Sequence, residues 1–108
     1  MAKPAQLRRR PADDIDDALA HHLSEAGPTV ATRVITAIER AVAHLARHPH
    51  NGSLRFAYQL GIPDLRSWPV PRFPYLVFYV DHDTHIDVWR ILHTRHDIPA
   101  ALAHTGGE

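Results

Sequence analysis

The chain has 108 residues, 44% of them hydrophobic, which suffices for one domain with a single core and is too short for two. It contains no cysteine, so a disulfide framework, thiol catalysis and thiolate metal sites are excluded, and the composition suits a reducing cytoplasm. Twelve Lys and Arg balance twelve Asp and Glu, so no field over the whole molecule draws it onto nucleic acid by counterion release.

No apolar run approaches the ~18 residues of a membrane span, and Met1 to Arg10 lacks the apolar stretch of a secretory signal. The expectation is a soluble cytoplasmic protein, without membrane contact. A core of this size leaves a modest stability margin, to which a tightly bound protein partner can add.

Residues 1–10 read as a short edge strand or arm whose arginines stay in water. Pro11 suits the first turn of a helix, and Asp13, Asp14, Asp16 and Asp17 place negative charge near its positive end, facing out. Ile15, Ala18, Leu19, His22 and Leu23 then form one apolar stripe, predicting a helix from about Pro11 to Glu25. Gly27-Pro28 breaks and restarts the pattern. Ala31, Val34, Ile35, Ile38, Ala41, Val42 and Leu45 make a second stripe to about His48, so 11–48 is a helical hairpin.

His48-Pro49-His50-Asn51-Gly52 stops the second helix and opens a loop. From Leu65 the period falls towards two. Strands are predicted at Leu65–Val70, Tyr75–Val80 and Ile86–His93, the last two forming a hairpin about the polar turn Asp81 to His85. Pro69, Pro71 and Pro74 push the first strand to an edge or a bulge. The reading is one α+β domain: the hairpin packed on one face of a small antiparallel sheet at 65–93, the other face partly open. A C-terminal segment at 98–108 follows, its Thr105-Gly106-Gly107-Glu108 end a frayed tail.

Between Arg66 and Asp97, four arginines (Arg66, Arg72, Arg90, Arg95) lie among Trp68, Phe73, Tyr75, Phe78, Tyr79 and Trp89. Arginine with aromatics is the composition of a binding surface, and equally of a solvated strand face over core aromatics. His93 and His96, with Arg95 and Asp97, bring a general base and a phosphate-stabilising cation within five residues, the minimum for metal-free RNA cleavage. Against that, His93 at a strand end also fits a buried, hydrogen-bonded histidine. His44 and His48 have a chelating i, i+4 spacing but no third ligand, and no phosphate loop or nucleophile elbow is present. No metal or cofactor is expected.

The order of these features resembles the ParE/RelE toxin superfamily from about Ala12 to Leu102. The matching pieces are Ala12-Asp13-Asp14-Ile15, Gly27, Ala31 and Ile38, and Leu45 to Gly52. Gly61-Ile62-Pro63-Asp64-Leu65-Arg66, Phe73-Pro74-Tyr75 through Tyr79, and Arg90 to Ile98 complete the set. Their order and spacing together carry the likeness. It implies a type II toxin held inactive by an antitoxin whose C-terminal segment wraps it, the pair repressing its own operon, with operator DNA bound only through the antitoxin complex.

Within that superfamily the RelE-like branch cuts mRNA on the ribosome, commonly with lysines, arginines and a C-terminal tyrosine. Here no lysine follows Lys3 and no tyrosine follows Tyr79. Phe73-Pro74-Tyr75 and Leu92 to Asp97 look more like the ParE branch, whose members block DNA gyrase without being nucleases. The resemblance therefore implies a non-enzymatic gyrase inhibitor paired with a ribbon–helix–helix, ParD-like antitoxin. Arg66, Arg72, Arg90 and Arg95 are the candidate target contacts; Trp68, Phe73, Tyr75 and Tyr79 are the candidate antitoxin contacts. The alternatives are a ribosome-dependent endoribonuclease using His93, His96 and Arg95, and a relative without toxicity that serves as antitoxin partner and co-repressor.

Overall fold

The computed structural model describes residues 2–103. The expected tail at Thr105 to Glu108, and with it the outer part of segment 98–108, lies outside the described residues. The chain runs β1 (Ala5–Leu7), α1 (Arg9–Ala26), α2 (Pro28–Arg47), α3 (Arg55–Leu60), β2 (Leu65–Pro69), β3 (Tyr75–Asp81), β4 (Ile86–His93) and α4 (Ile98–Ala103).

The helical hairpin forms where the two apolar stripes predict it. Gly27 joins the helices with φ 87°, a conformation open to glycine, while its amide closes α1 on the carbonyls of His22 and Leu23. Pro28 then starts α2 with a fixed φ and no amide to satisfy. Ala31, Val34, Ile38, Ala41 and Leu45 of α2 are almost fully enclosed, whereas α1 buries only Pro11 and Ala18 and leaves Leu23 exposed. Each enclosed Val, Ile or Leu contributes about 1.5–3 kcal/mol of burial, so α2 is the helix that anchors the hairpin to the sheet.

The sheet has the order β1-β4-β3-β2 and is mixed rather than wholly antiparallel. β2, β3 and β4 form the expected meander, and β1 adds to β4 in parallel, pairing Ala5 with Ile86 and Leu7 with Val88. An edge strand within residues 1–10 is expected from the sequence, but its partner and its parallel direction have no local sequence signal. A bulge between Phe78 and Tyr79 pairs Phe78 with Arg90 and Tyr79 with Val88, leaving Trp89 unopposed.

Two apolar clusters flank the sheet. Val34, Ile38, Ala41 and Leu45 meet Tyr75, Val77, Tyr79, Ile86, Val88 and Ile91 on the hairpin face. On the other face, Leu65, Phe78, Val80 and Leu92 meet Phe56 of α3 and Ile98 and Leu102 of α4. That face, expected to be partly open, is thus covered in part by two six-residue helices, one in a stretch read as a loop and one in the C-terminal segment, for which the sequence predicts no secondary structure. Among the described residues no helix is long and apolar enough to cross a membrane.

Candidate functional site

A broad groove of roughly 1000 Å³ lies between α2 and the β2–β3 connection. Its apolar floor is Ala37, Ala41, Trp68 and Phe73, and Arg33, Arg40 and Arg72 stand along it. Trp68 is fixed by the His44 ring stacked on it at 5.1 Å, and Asn51 donates its side-chain amide to Nε2 of His44 at 3.1 Å. His44 therefore packs on Trp68 with its Nε2 engaged by Asn51. Arg72 has φ 74°, a left-handed conformation that costs a non-glycine residue about 1–2 kcal/mol, and the turn after Pro71 imposes it. Among the described residues no acidic side chain lines the groove.

Arg90, grouped in the sequence with surface arginines, is 9% exposed. Beyond the end of β1 the outer edge of β4 has lost its partner strand, and α1 takes over. The Asp14 carboxylate accepts the Ile91 amide at 2.9 Å and both Nε and Nη2 of Arg90 at 2.8 Å. Arg90 also donates to the Ala101 carbonyl at 3.3 Å, tying α4 to the sheet edge. Because α1 begins at Arg9, two residues earlier than its proline suggests, the aspartates fall past the first turn and Asp14 is turned inward rather than to water.

The turn after β4 gathers the candidate nuclease histidines. Nδ1 of His93 accepts the Arg95 amide at 3.0 Å, and Nδ1 of His96 accepts the His93 amide at 3.1 Å. A neutral imidazole accepting at Nδ1 carries its proton on Nε2 and offers a donor there, a tautomer whose one basic nitrogen is already taken up by the backbone amide. Burial, with Arg95, His96, His21 and His22 nearby, holds the His93 imidazole below its ordinary value. His93 also packs edge-on against Tyr75, and the Tyr75 hydroxyl meets Nε2 of His22 at 3.0 Å.

Of the aromatics read as antitoxin contacts, Trp68 and Phe73 line the groove, while Tyr75 and Tyr79 belong to the core. The Tyr79 hydroxyl donates to the Pro49 carbonyl at 2.7 Å and accepts the Gly52 amide at 3.0 Å. Burial pushes the Tyr79 phenol up, against the Gly52 hydrogen bond and the Arg66 charge. Arg66 donates to the carbonyls of His50 and Gly52, so it pins the same loop. Arg95 is exposed, and among the described residues no hydrogen bond or ion pair engages its guanidinium. The four predicted target arginines thus occupy four different surroundings.

Sequence reasoning missed Arg33 and Arg40. With Thr36, Ala37 and His44 they follow helical spacing along one border of the α2 stripe, a signal that was present but subordinate to the apolar positions. Asp14 was hidden by its neighbours, since nothing in Asp13-Asp14 marks which carboxylate turns in.

The fold is similar to one already solved. A chain of the chromosomal ParDE toxin–antitoxin system from P. aeruginosa superposes with a TM-score of 0.72 at 22% identity, covering 85% of this chain and 96% of that one. No curated protein matches the chain by sequence. The family description "ParE toxin of type II toxin–antitoxin system, parDE" matches residues 6–98. With nearly the whole described chain matched in sequence and the α+β architecture matched in space, the chain belongs to the ParE toxin family of type II toxin–antitoxin systems.

Proposed function

We propose that this chain is a toxin that acts by binding DNA gyrase rather than by cutting RNA, and that a ParD-like ribbon–helix–helix antitoxin neutralises it in the cytoplasm. The observation that carries the non-enzymatic reading is the engagement of His93 and His96. Each uses Nδ1 to hold a backbone amide of the turn, so neither presents a basic nitrogen to a 2′-hydroxyl without breaking that turn. Arg95, exposed beside them, is the arginine best placed to meet a target; Arg90 acts by holding the strand edge on which that turn sits.

The groove supports the antitoxin half of the reading. Three arginines over an apolar floor with Trp68 and Phe73 suit a segment carrying acidic residues beside apolar ones, which buries its apolar side and pairs its carboxylates. Arg72 is accordingly assigned to the antitoxin groove. Operator DNA is met only through the complex.

Induction of the toxin without antitoxin in growing bacteria, followed by labelled thymidine and methionine incorporation over the first minutes, tests the reading. Early loss of thymidine incorporation with translation intact is the expected result. Early loss of methionine incorporation would move the target to the ribosome, and harmless accumulation of folded protein would leave only a partner and co-repressor role.

A further inference from the structure

A second cavity, of about 400 Å³, opens where α1 passes the end of β4 and the turn that follows it. His21 lines it from α1, Tyr75 from β3, His93 from β4, and Arg95 and His96 from the turn. Asp14, Asp17 and Arg90 also face it, and His22 lies behind, on the Tyr75 hydroxyl. None of these groups is needed for the groove between α2 and the β2–β3 connection, and the cavity stands on the other border of the hairpin face.

The hydrogen bonding fixes what the cavity offers a ligand. With Nδ1 accepting a backbone amide, neutral His93 and His96 each carry an Nε2–H, and among the described residues nothing engages either donor. The Arg95 guanidinium is equally unengaged. Asp14 is occupied by Arg90 at 2.8 Å, which leaves Asp17 as the one lining carboxylate outside an ion pair among the described residues. The lining is therefore rich in donors and poor in acceptors. The donors come from separate elements, a helix, a strand end and a turn, rather than from one planar fork. A tetrahedral oxyanion can accept from several directions at once, whereas the two oxygens of a carboxylate share a plane.

We propose that this cavity binds a phosphate group, held by the Arg95 guanidinium and the Nε2–H donors of His93 and His96, with His21 on the α1 side. Cleavage chemistry is not part of it: the same Nδ1 bonds that make these imidazoles donors keep them from acting as bases. Nor does it depend on gyrase being the target, because it concerns only what this chain holds.

The test is a titration of the full chain with inorganic phosphate and, separately, with a short DNA duplex, read from the histidine ring cross-peaks in NMR spectra. Saturable shifts at His21, His93 and His96 are expected, with Arg95→Ala weakening binding about tenfold, the effect of losing one charge-assisted contact. His93→Asn keeps an acceptor for the Arg95 amide while removing the Nε2–H, and it too should weaken binding with the fold intact. Asp17→Asn removes the repelling carboxylate and should tighten it. A response to duplex alone assigns the phosphate to a nucleic-acid backbone; a response to inorganic phosphate alone assigns it to a small free ester; either supports the site. Absence of saturable shifts with both probes, acetate binding as tightly as phosphate, or unchanged affinity in Arg95→Ala would overturn it.

Discussion

Removing one member of the Asp14–Arg90 pair should cost this protein a large part of its stability. Their side chains are 9% and 11% exposed, joined by two contacts of 2.8 Å, and the same carboxylate accepts the Ile91 amide at the unpaired edge of β4. Asp14→Ala leaves a buried guanidinium without its counter-charge, a loss of about 3–5 kcal/mol, comparable to a large fraction of the ~5–15 kcal/mol that holds a small domain folded. At roughly 5 °C per kcal/mol the melting temperature should fall by about 15–25 °C. Replacing both residues with apolar ones, Asp14→Leu with Arg90→Met, removes the desolvation cost with the attraction and should recover most of the loss. Urea unfolding followed by circular dichroism gives both numbers. A loss below about 1 kcal/mol in both Asp14→Ala and Arg90→Ala would refute the structural role, especially if Arg90→Ala abolished toxicity while melting normally.

His93 makes stability pH-dependent with a definite sign. Its imidazole is held below the ordinary 6.5, so on acidification the unfolded chain binds the proton first; the stabilisation is complete above about pH 6.5 and is lost as pH falls through the lower folded value. Urea midpoints between about pH 8 and pH 5 should fall in the parent and fall less in His93→Asn. At Gly52 an added methyl would press on the Tyr79 hydroxyl and come within 2.8 Å of its ring and 2.9 Å of the Arg66 Cβ, so Gly52→Ala should cost about 1–3 kcal/mol. Tyr79→Phe removes a hydroxyl with two backbone partners and should cost a similar ~1–3 kcal/mol, yet the double variant should lose less than the sum because the methyl takes the vacated space. In the groove, Arg33→Glu with Arg72→Glu should weaken capture of the cognate antitoxin by at least about tenfold in calorimetry, and increasingly so at low salt, with melting unchanged.

The parts of this fold that were legible in the sequence are those with long, strong periodicity. The twenty residues of α2 repeat their apolar positions over five turns, and Ile86–His93 keeps its strand character despite the bulge. The six-residue helices Arg55–Leu60 and Ile98–Ala103 span fewer than two turns, too short for a period to show, and they form because Phe56, Ile98 and Leu102 find the second sheet face. The parallel pairing of Ala5–Leu7 with Ile86–Val88 joins segments about 80 residues apart and leaves no local mark. The residue types of the candidate site were legible in composition; their placement was not. Sequence alone grouped Arg66, Arg72, Arg90 and Arg95 as one face, whereas one is buried in an ion pair, one pins a loop, one stands in a strained turn and one is exposed. Which side of a strand a bulge presents, and which of adjacent aspartates turns inward, are decided by tertiary contacts.

The most direct test of the central claim is supercoiling of relaxed plasmid DNA by purified gyrase in the presence of the purified toxin. Inhibition that rises with toxin concentration, is relieved by the cognate antitoxin and is blunted by Arg95→Ala is the predicted result. Full supercoiling activity at saturating folded toxin would contradict the account and place the target elsewhere.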